Sequence, residues 1–220
     1  LIFTLNDRTF YSQGIQSKLS WDSKLGEANM TIDAGLRLHQ DQGARLHRAR
    51  NFDMLSGQLV YAGQADEMTT NNKDTSTAIA AFINSKIQFG DLHSSFGLRL
   101  ENINGKSNDY LTQVSQNDND TVVLPGAGVF YQINPKLGIL AGVNKGFVPN
   151  SPGEASDIKP EQSWNYELGL RASVADWQIE AIGFLNDYSN LKGSCTFSSG
   201  CATQLDVEFN GGEVDIYGAE

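Results

Sequence analysis

The sequence predicts an all-β chain, a run of antiparallel strands from a transmembrane β-barrel. Three observations predict it. Apolar and polar residues alternate with period two through most of the chain, short and long connections alternate strictly, and aromatic residues gather at strand ends on the apolar side. The bulk composition agrees. The chain has 220 residues, of which 40% are hydrophobic, 10% aromatic and 19% charged. That is too apolar and aromatic for disorder, and its 22 glycines are too many for a mainly helical chain. A net charge of −10 argues against nucleic acid as the main partner. No apolar run approaches the length of a membrane-spanning helix; the best, Ala78 to Ile83, is short. Leu1 opens without a basic segment or an apolar leader, so the chain reads as a piece of a longer protein.

Nine strands follow from the alternation, at 10–21, 28–39, 75–89, 92–103, 121–132, 137–147, 163–172, 177–187 and 212–220. In the first, Tyr11, Ile15, Leu19 and Trp21 oppose Ser12, Gln16, Lys18 and Ser20. The second is the clearest: Ala28, Met30, Ile32, Ala34, Leu36 and Leu38 oppose Asn29, Thr31, Asp33, Gly35, Arg37 and His39. In the third, Ile79, Ala81, Ile83, Ile87 and Phe89 oppose Asn84, Lys86 and Gln88. In the fourth, Leu92, Phe96, Leu98 and Leu100 oppose His93, Ser95, Arg99 and Glu101. The strands at 121–132 and 137–147 are weaker, because Gly126, Gly128, Gly138, Gly142 and Gly146 stand where polar residues are expected. Those glycines read equally as local bends and as room for something bulky inside the wall. In the seventh, Trp164, Tyr166, Leu168 and Leu170 oppose Asn165, Glu167, Gly169 and Arg171. At about 9–15 residues the strands exceed the usual soluble length and match a tilted bilayer crossing.

Short turns are expected at Asp22–Glu27, Gly90–Asp91, Asn134–Lys136 and Ser173–Asp176. Long loops are expected at Gln40–Asp74, Asn104–Asp120, Val148–Gln162 and Tyr188–Gly211, with Phe52–Gly63 as a hairpin arm inside the first. All short turns then fall at one end of the strands, as in outer-membrane barrels. Trp21, Phe89, Tyr131 and Trp177 lie beside the short turns, and Tyr11, Phe147 and Trp164 near the opposite ends. Two aromatic girdles around an aliphatic belt suit a bilayer and would have no reason to form in a soluble sandwich. Lys145 is the exception on the apolar face, near enough to the outer end to snorkel.

Gly146-Phe147-Val148-Pro149, and then Lys159-Pro160-Glu161-Gln162-Ser163-Trp164-Asn165-Tyr166-Glu167-Leu168-Gly169-Leu170-Arg171, resemble the barrel signature of TonB-dependent outer-membrane receptors. Asn210-Gly211-Gly212 followed by Ile216-Tyr217-Gly218-Ala219-Glu220 resembles that family's next stretch. Gly-Leu-Arg occurs at Gly35–Arg37, Gly97–Arg99 and Gly169–Arg171, each time with Leu expected toward lipid. The chain is most similar to iron-chelate receptors of the ferric dicitrate type. The resemblance implies about nine strands of a 22-stranded barrel in the bacterial outer membrane. It also implies a plug domain and a TonB box, neither expected within this chain. The implied function is TonB-dependent uptake of a ferric chelate, ferric citrate or a siderophore. The alternatives are a receptor for cobalamin, haem or a glycan, or a non-transport barrel such as an adhesin or an enzyme. The partners implied are the chelate, the TonB complex, and outer-membrane lipid with lipopolysaccharide.

Iron chelates are mostly anionic, so Arg45, His47, Arg48 and Arg50, the densest basic cluster, are the expected ligand contacts. The alternative is a stretch that packs against lipopolysaccharide phosphates or pairs with Asp41 and Asp53. Lys106, Lys145 and Lys159 are weaker candidates. Inward Arg37, Arg99, Glu101, Glu167, Arg171 and Glu180 are expected to pair along the wall, with Arg171 and Glu180 diagonal across a turn. Asp66, Glu67, Asp74, Asp109, Asp118 and Asp120 match no calcium-loop spacing and read as solvated loop charge. His39, His47 and His93 have no metal spacing, Asn29-Met30-Thr31 reads as a chance glycosylation match, and no cofactor is expected. No nucleophile elbow, phosphate loop or HExxH appears, so no enzyme is expected. Cys195 and Cys201, five residues apart, suit a small disulfide loop in an oxidising compartment.

Overall fold

The computed structural model describes residues 1–154, 157–196, 198 and 208–220. Its main sheet is an antiparallel meander in chain order: β1 (Ile2–Leu25), β2 (Ala28–Leu55), β4 (Glu67–Phe89), β5 (Leu92–Asp109), β6 (Val114–Asn134), β7 (Leu137–Val148), β8 (Glu161–Val174), β9 (Trp177–Ser189) and β12 (Val214–Ala219). The short β3 (Gln58–Tyr61) folds back on the tip of β2, and β10 (Lys192–Ser194) pairs with β11 (Glu208–Asn210) in a separate two-stranded sheet. All nine expected strands lie on the main path. Phe52–Gly63 forms the expected hairpin arm, with Phe52 opposite Tyr61.

The connections correct the expectation in two ways. The turn at Gly90–Asp91 is as expected, with Phe89 opposite Leu92, and the other three shrink to two residues, since Leu25 pairs with Ala28, Asn134 with Leu137 and Val174 with Trp177. Positive φ at Gly26 (63°), Gly90 (54°) and Ala175 (53°) supplies the twist that such tight hairpins need. At the other end, most of Gln40–Asp74 and Asn104–Asp120 is strand and not loop. β2 runs for 28 residues, whereas about ten cross a bilayer. These stretches are polar on both faces, so alternation ends where the membrane does, while the backbone ladder continues regardless of side chain.

Register propagates one face across the whole sheet. Ser17, Leu36, Ala81 and Leu100 are successive partners, as are Ile139, Leu170 and Ala181. Leu36, Leu98 and Leu170 therefore share a face and remain 63%, 48% and 52% exposed. Arg37, Arg99 and Arg171 point to the other side. Trp21, Phe89, Tyr131 and Trp177 stand exposed at the short-turn ends of the apolar face. An apolar surface this extensive requires a hydrophobic phase. Lys145 lies on it beside Trp164, its register partner near the outer end.

The opposite face carries polar networks. Asp33, 9% exposed, accepts a hydrogen bond from Ser20 and has Lys18 and Lys86 Nζ at 3.5 and 3.8 Å. Arg99 Nε is 2.6 Å from Glu101, and Arg171 Nε is 2.8 Å from Glu180. Arg171 and Glu180 are directly opposite in the ladder, not diagonal, because the turn between them is only two residues long. The Arg171 guanidinium also lies 5.3 Å from the centre of the Phe130 ring. That ring covers Gly138, whereas Gly142 has only one backbone oxygen, at 3.8 Å, near where a Cβ would sit. Gly146 is crowded instead by the Ser163 hydroxyl, so the inner glycines are not one population.

Two outcomes follow for the full-length protein. Leu98→Arg places a charge at the middle of the apolar belt and costs about 2–4 kcal/mol, whereas Glu167→Gln on the polar face changes stability by under about 0.5 kcal/mol; equilibrium folding into lipid vesicles measures both. The three Gly-Leu-Arg glycines are not equivalent. A Cβ on Gly35 meets the Ser17 carbonyl at 2.6 Å and the Phe82 ring at 2.5 Å, while Gly97 has only Asn84 at 3.4 Å. Gly35→Ala is therefore destabilising by about 1–3 kcal/mol and Gly97→Ala nearly neutral in the same assay.

Candidate functional site

Beyond the apolar belt, the outer ends of β1, β2, β4 and β5 continue the polar face upward. Alternation places Phe10 and Ser12 of β1 beside Gly43 and Asp41 of β2, and these beside Asp74 and Ser76 of β4. Ser107 of β5 lies opposite Asp74 and donates to its carboxylate at 2.6 Å. Asn72 adds a longer hydrogen bond to Asp74, at 3.3 Å. Together with residues 151–154 and Glu208, this surface encloses a cavity of about 810 Å³, also lined by Arg45. A second cavity of about 620 Å³ lies between β6 and the segment after β7, lined by Asp118, Asp120, Asn150, Glu154, Ile158 and Lys159.

The segment after β7 is a strap drawn over the polar face. The Asn150 amide N–H donates to Asp120 at 3.3 Å, and the Asn150 side chain donates to the Ile158 carbonyl at 2.7 Å. Glu154 accepts from the Ser151 N–H at 2.7 Å and lies 2.7 Å from Lys192 Nζ. Lys159 exchanges two hydrogen bonds with the Asn210 side chain, at 2.8 and 2.9 Å, and Glu161 accepts from the Lys192 N–H at 2.7 Å. The residues that carried the sequence signature, Lys159, Glu161 and Asn210, thus tie the strap to the hairpin after β9.

The expected basic cluster divides. Because residues 45–50 are strand and not loop, alternation sends Arg45 and His47 to the polar face and Arg48 and Arg50 to the other. Arg45 enters the cavity wall. His47 accepts from Arg8 Nε at 3.4 Å. Arg50 forms a two-pronged bond with Asp66, at 2.8 and 2.7 Å, and lies 5.8 Å from the Tyr61 ring centre. It does not pair with Asp41 or Asp53; Asp41 instead faces His39 at 3.0 Å. Asp66 is accordingly not solvated loop charge, and its hydrogen bond with Arg50 holds its carboxyl below the usual range. Lys106 and Lys145 point to the apolar side, and Lys159 borders the second cavity. Arg8 was not anticipated, since the polar outer end of β1 has no alternation to reveal it; it lies directly opposite Arg45. Cys195 is not a free thiol, and Cys201 lies outside the described residues. Among the described residues, no three metal-ligating side chains converge.

The strap carries opposed titrations. Burial raises Asp118, assisted by Asp120 and Glu154, and outweighs the Gly153 and Asp118 backbone N–H groups that act the other way. Burial also pushes Glu154 up, but the hydrogen bonds from Lys192 and Ser151 outweigh it and leave it lowered. Asp118 therefore favours the closed strap fully below its ordinary value of 3.8, and this contribution is lost as pH rises through its raised value. The contribution of Glu154 is full above 4.5 and lost as pH falls through its lowered value. In the full-length protein, hydrogen exchange at 150–154, corrected for intrinsic rates, is expected to quicken as pH climbs from 4.5, where the Glu154 contribution is already full, toward neutrality. Asp118→Asn is expected to flatten that rise.

Comparison with known proteins gives a consistent fold. Residues 2–220 match the family described as TonB dependent receptor-like, beta-barrel. The metal-pseudopaline receptor CntO of Pseudomonas aeruginosa is 26% identical over 119 residues, covering 49% of this chain and 16% of that protein. The unliganded ferric citrate transporter FecA superimposes with a TM-score of 0.82 at 20% identity, over 100% of this chain and 32% of that one. The ferric-catecholate import receptor Fiu of Escherichia coli K12 gives 0.72 at 13% identity, over 97% and 35%. The chain spans about a third of the solved structures and about a sixth of the curated relative.

Proposed function

We propose, from the premise that this chain belongs to the TonB-dependent receptor β-barrel family, that it is a wall segment of an outer-membrane receptor for a ferric chelate, ferric citrate or a siderophore. One observation carries the reading: the cavity of about 810 Å³ opens on the polar face, above the apolar belt, where a solute arriving from outside would first meet the wall. Its volume suits a metal chelate. The names of the similar proteins, receptors and transporters of metal chelates, support the same class.

In this reading no bond is made or broken. Arg45 supplies a charge-assisted donor to the chelate oxygens, and His47 with Arg8 extends the basic side of the wall. Arg48 projects from the far side of the strand, toward lipopolysaccharide phosphates, while Arg50 on that side is engaged by Asp66. Occupancy at the rim biases the plug, and the TonB complex supplies the work of opening it. A disulfide between Cys195 and Cys201 belongs to the same reading. The protein has no catalytic role.

Isothermal titration of the full-length receptor tests the assignment. An iron chelate is expected to bind, with Arg45→Ala weakening it about tenfold, the equivalent of about 1.4 kcal/mol. Arg50→Ala, on the opposite face and engaged by Asp66, is expected to leave binding unchanged. Heat with cobalamin, haem or an oligosaccharide and with no iron chelate would assign one of those ligands instead.

A further inference from the structure

The lining of the outer cavity is chemically lopsided. Among the described residues it presents four carboxylates, Asp41, Asp74, Glu154 and Glu208, and one permanent cation, Arg45. Lys192 neutralises Glu154. Asp74 is held only by neutral donors, Ser107 and Asn72. Asp41 is balanced only when His39 is protonated. Asn72 contributes a buried side-chain oxygen with no donor. The wall therefore offers hydrogen-bond acceptors and negative charge, with a single guanidinium among them.

We infer that this wall selects a ferric chelate that is uncharged or positively charged at its periphery, with ammonium, amide or hydroxyl donors, and disfavours a polycarboxylate complex. The inference rests on the chelate-receptor reading and narrows it. Arg45 takes the metal-bound oxygens, which carry the ligand's negative charge. Asp41, Asp74 and the Asn72 oxygen take the donors on its outer surface. Among the described residues no permanent cation pairs with Asp41 or Asp74, so a polyanion would meet two carboxylates within a partly enclosed space where water screens poorly. Selection here comes as much from the rejected charge as from the accepted one.

The test holds the scaffold constant and changes charge. The full-length receptor is titrated with ferrioxamine B, a cationic ferric hydroxamate, with its anionic N-succinyl derivative, and with ferric dicitrate. The cationic form is expected to bind at least tenfold more tightly than either anion. The double variant Asp41→Asn/Asp74→Asn is expected to shrink that ratio by at least fivefold, and Asp53→Asn, a charge removed from the same hairpin outside the cavity, to leave it unchanged. Tighter binding of ferric dicitrate, or a ratio unmoved by the double variant, overturns the charge selection and leaves the chelate-receptor reading intact. Failure of every iron chelate to bind overturns both.

Discussion

One constraint governs this molecule: a backbone that crosses hydrocarbon must satisfy its own hydrogen bonds. An antiparallel ladder does so for every strand flanked on both sides, and the strands of the main sheet follow one another in chain order from β1 to β12. The ladder also dictates where side chains go. Once register is set, successive residues point to opposite faces, and one slipped residue would exchange the leucines of the belt for the arginines of the wall. The two-residue turns fix that register at one end, with no slack to absorb an error. Pairs such as Arg99–Glu101 and Arg171–Glu180 then decorate a wall whose geometry is already determined. At roughly half exposure, the Arg171 pair contributes at most about 1 kcal/mol.

The same rule explains what was legible beforehand and what was not. Leu36, Leu98 and Leu170 could be placed from sequence because hydrocarbon on one side and polar surroundings on the other write an alternation into the chain. Above the membrane both sides are wet, and the alternation disappears. Gln40 to Arg50 therefore looked like loop although the ladder runs through it. That omission mattered for the site. A loop lets Arg45, His47, Arg48 and Arg50 converge, whereas a strand divides them between two faces. Arg8 was invisible for the same reason, and so was the strap, whose contacts with Asp120, Lys192 and Asn210 join residues far apart in sequence.

The signature residues acquire a physical account from the strap. Glu161 accepts from the backbone of Lys192, and Asn210 holds Lys159 from both sides while also donating to the Asn190 carbonyl. These are backbone-capturing contacts: they satisfy polar groups that leave the ladder as the chain turns over the rim. Glu154 does both, capturing the Ser151 N–H while lining the cavity.

The unbroken ladder of β2 has a mechanical consequence. From Gln40 to Leu55 the strand rises for roughly 50 Å along its own axis, stiffened by pairing with β1 and β4 and finished by a Ser56-Gly57 tip at φ 51° and 80°. Such a mast lifts its summit well beyond the apolar belt, and a short peptide spliced there would disturb neither the belt nor the cavity.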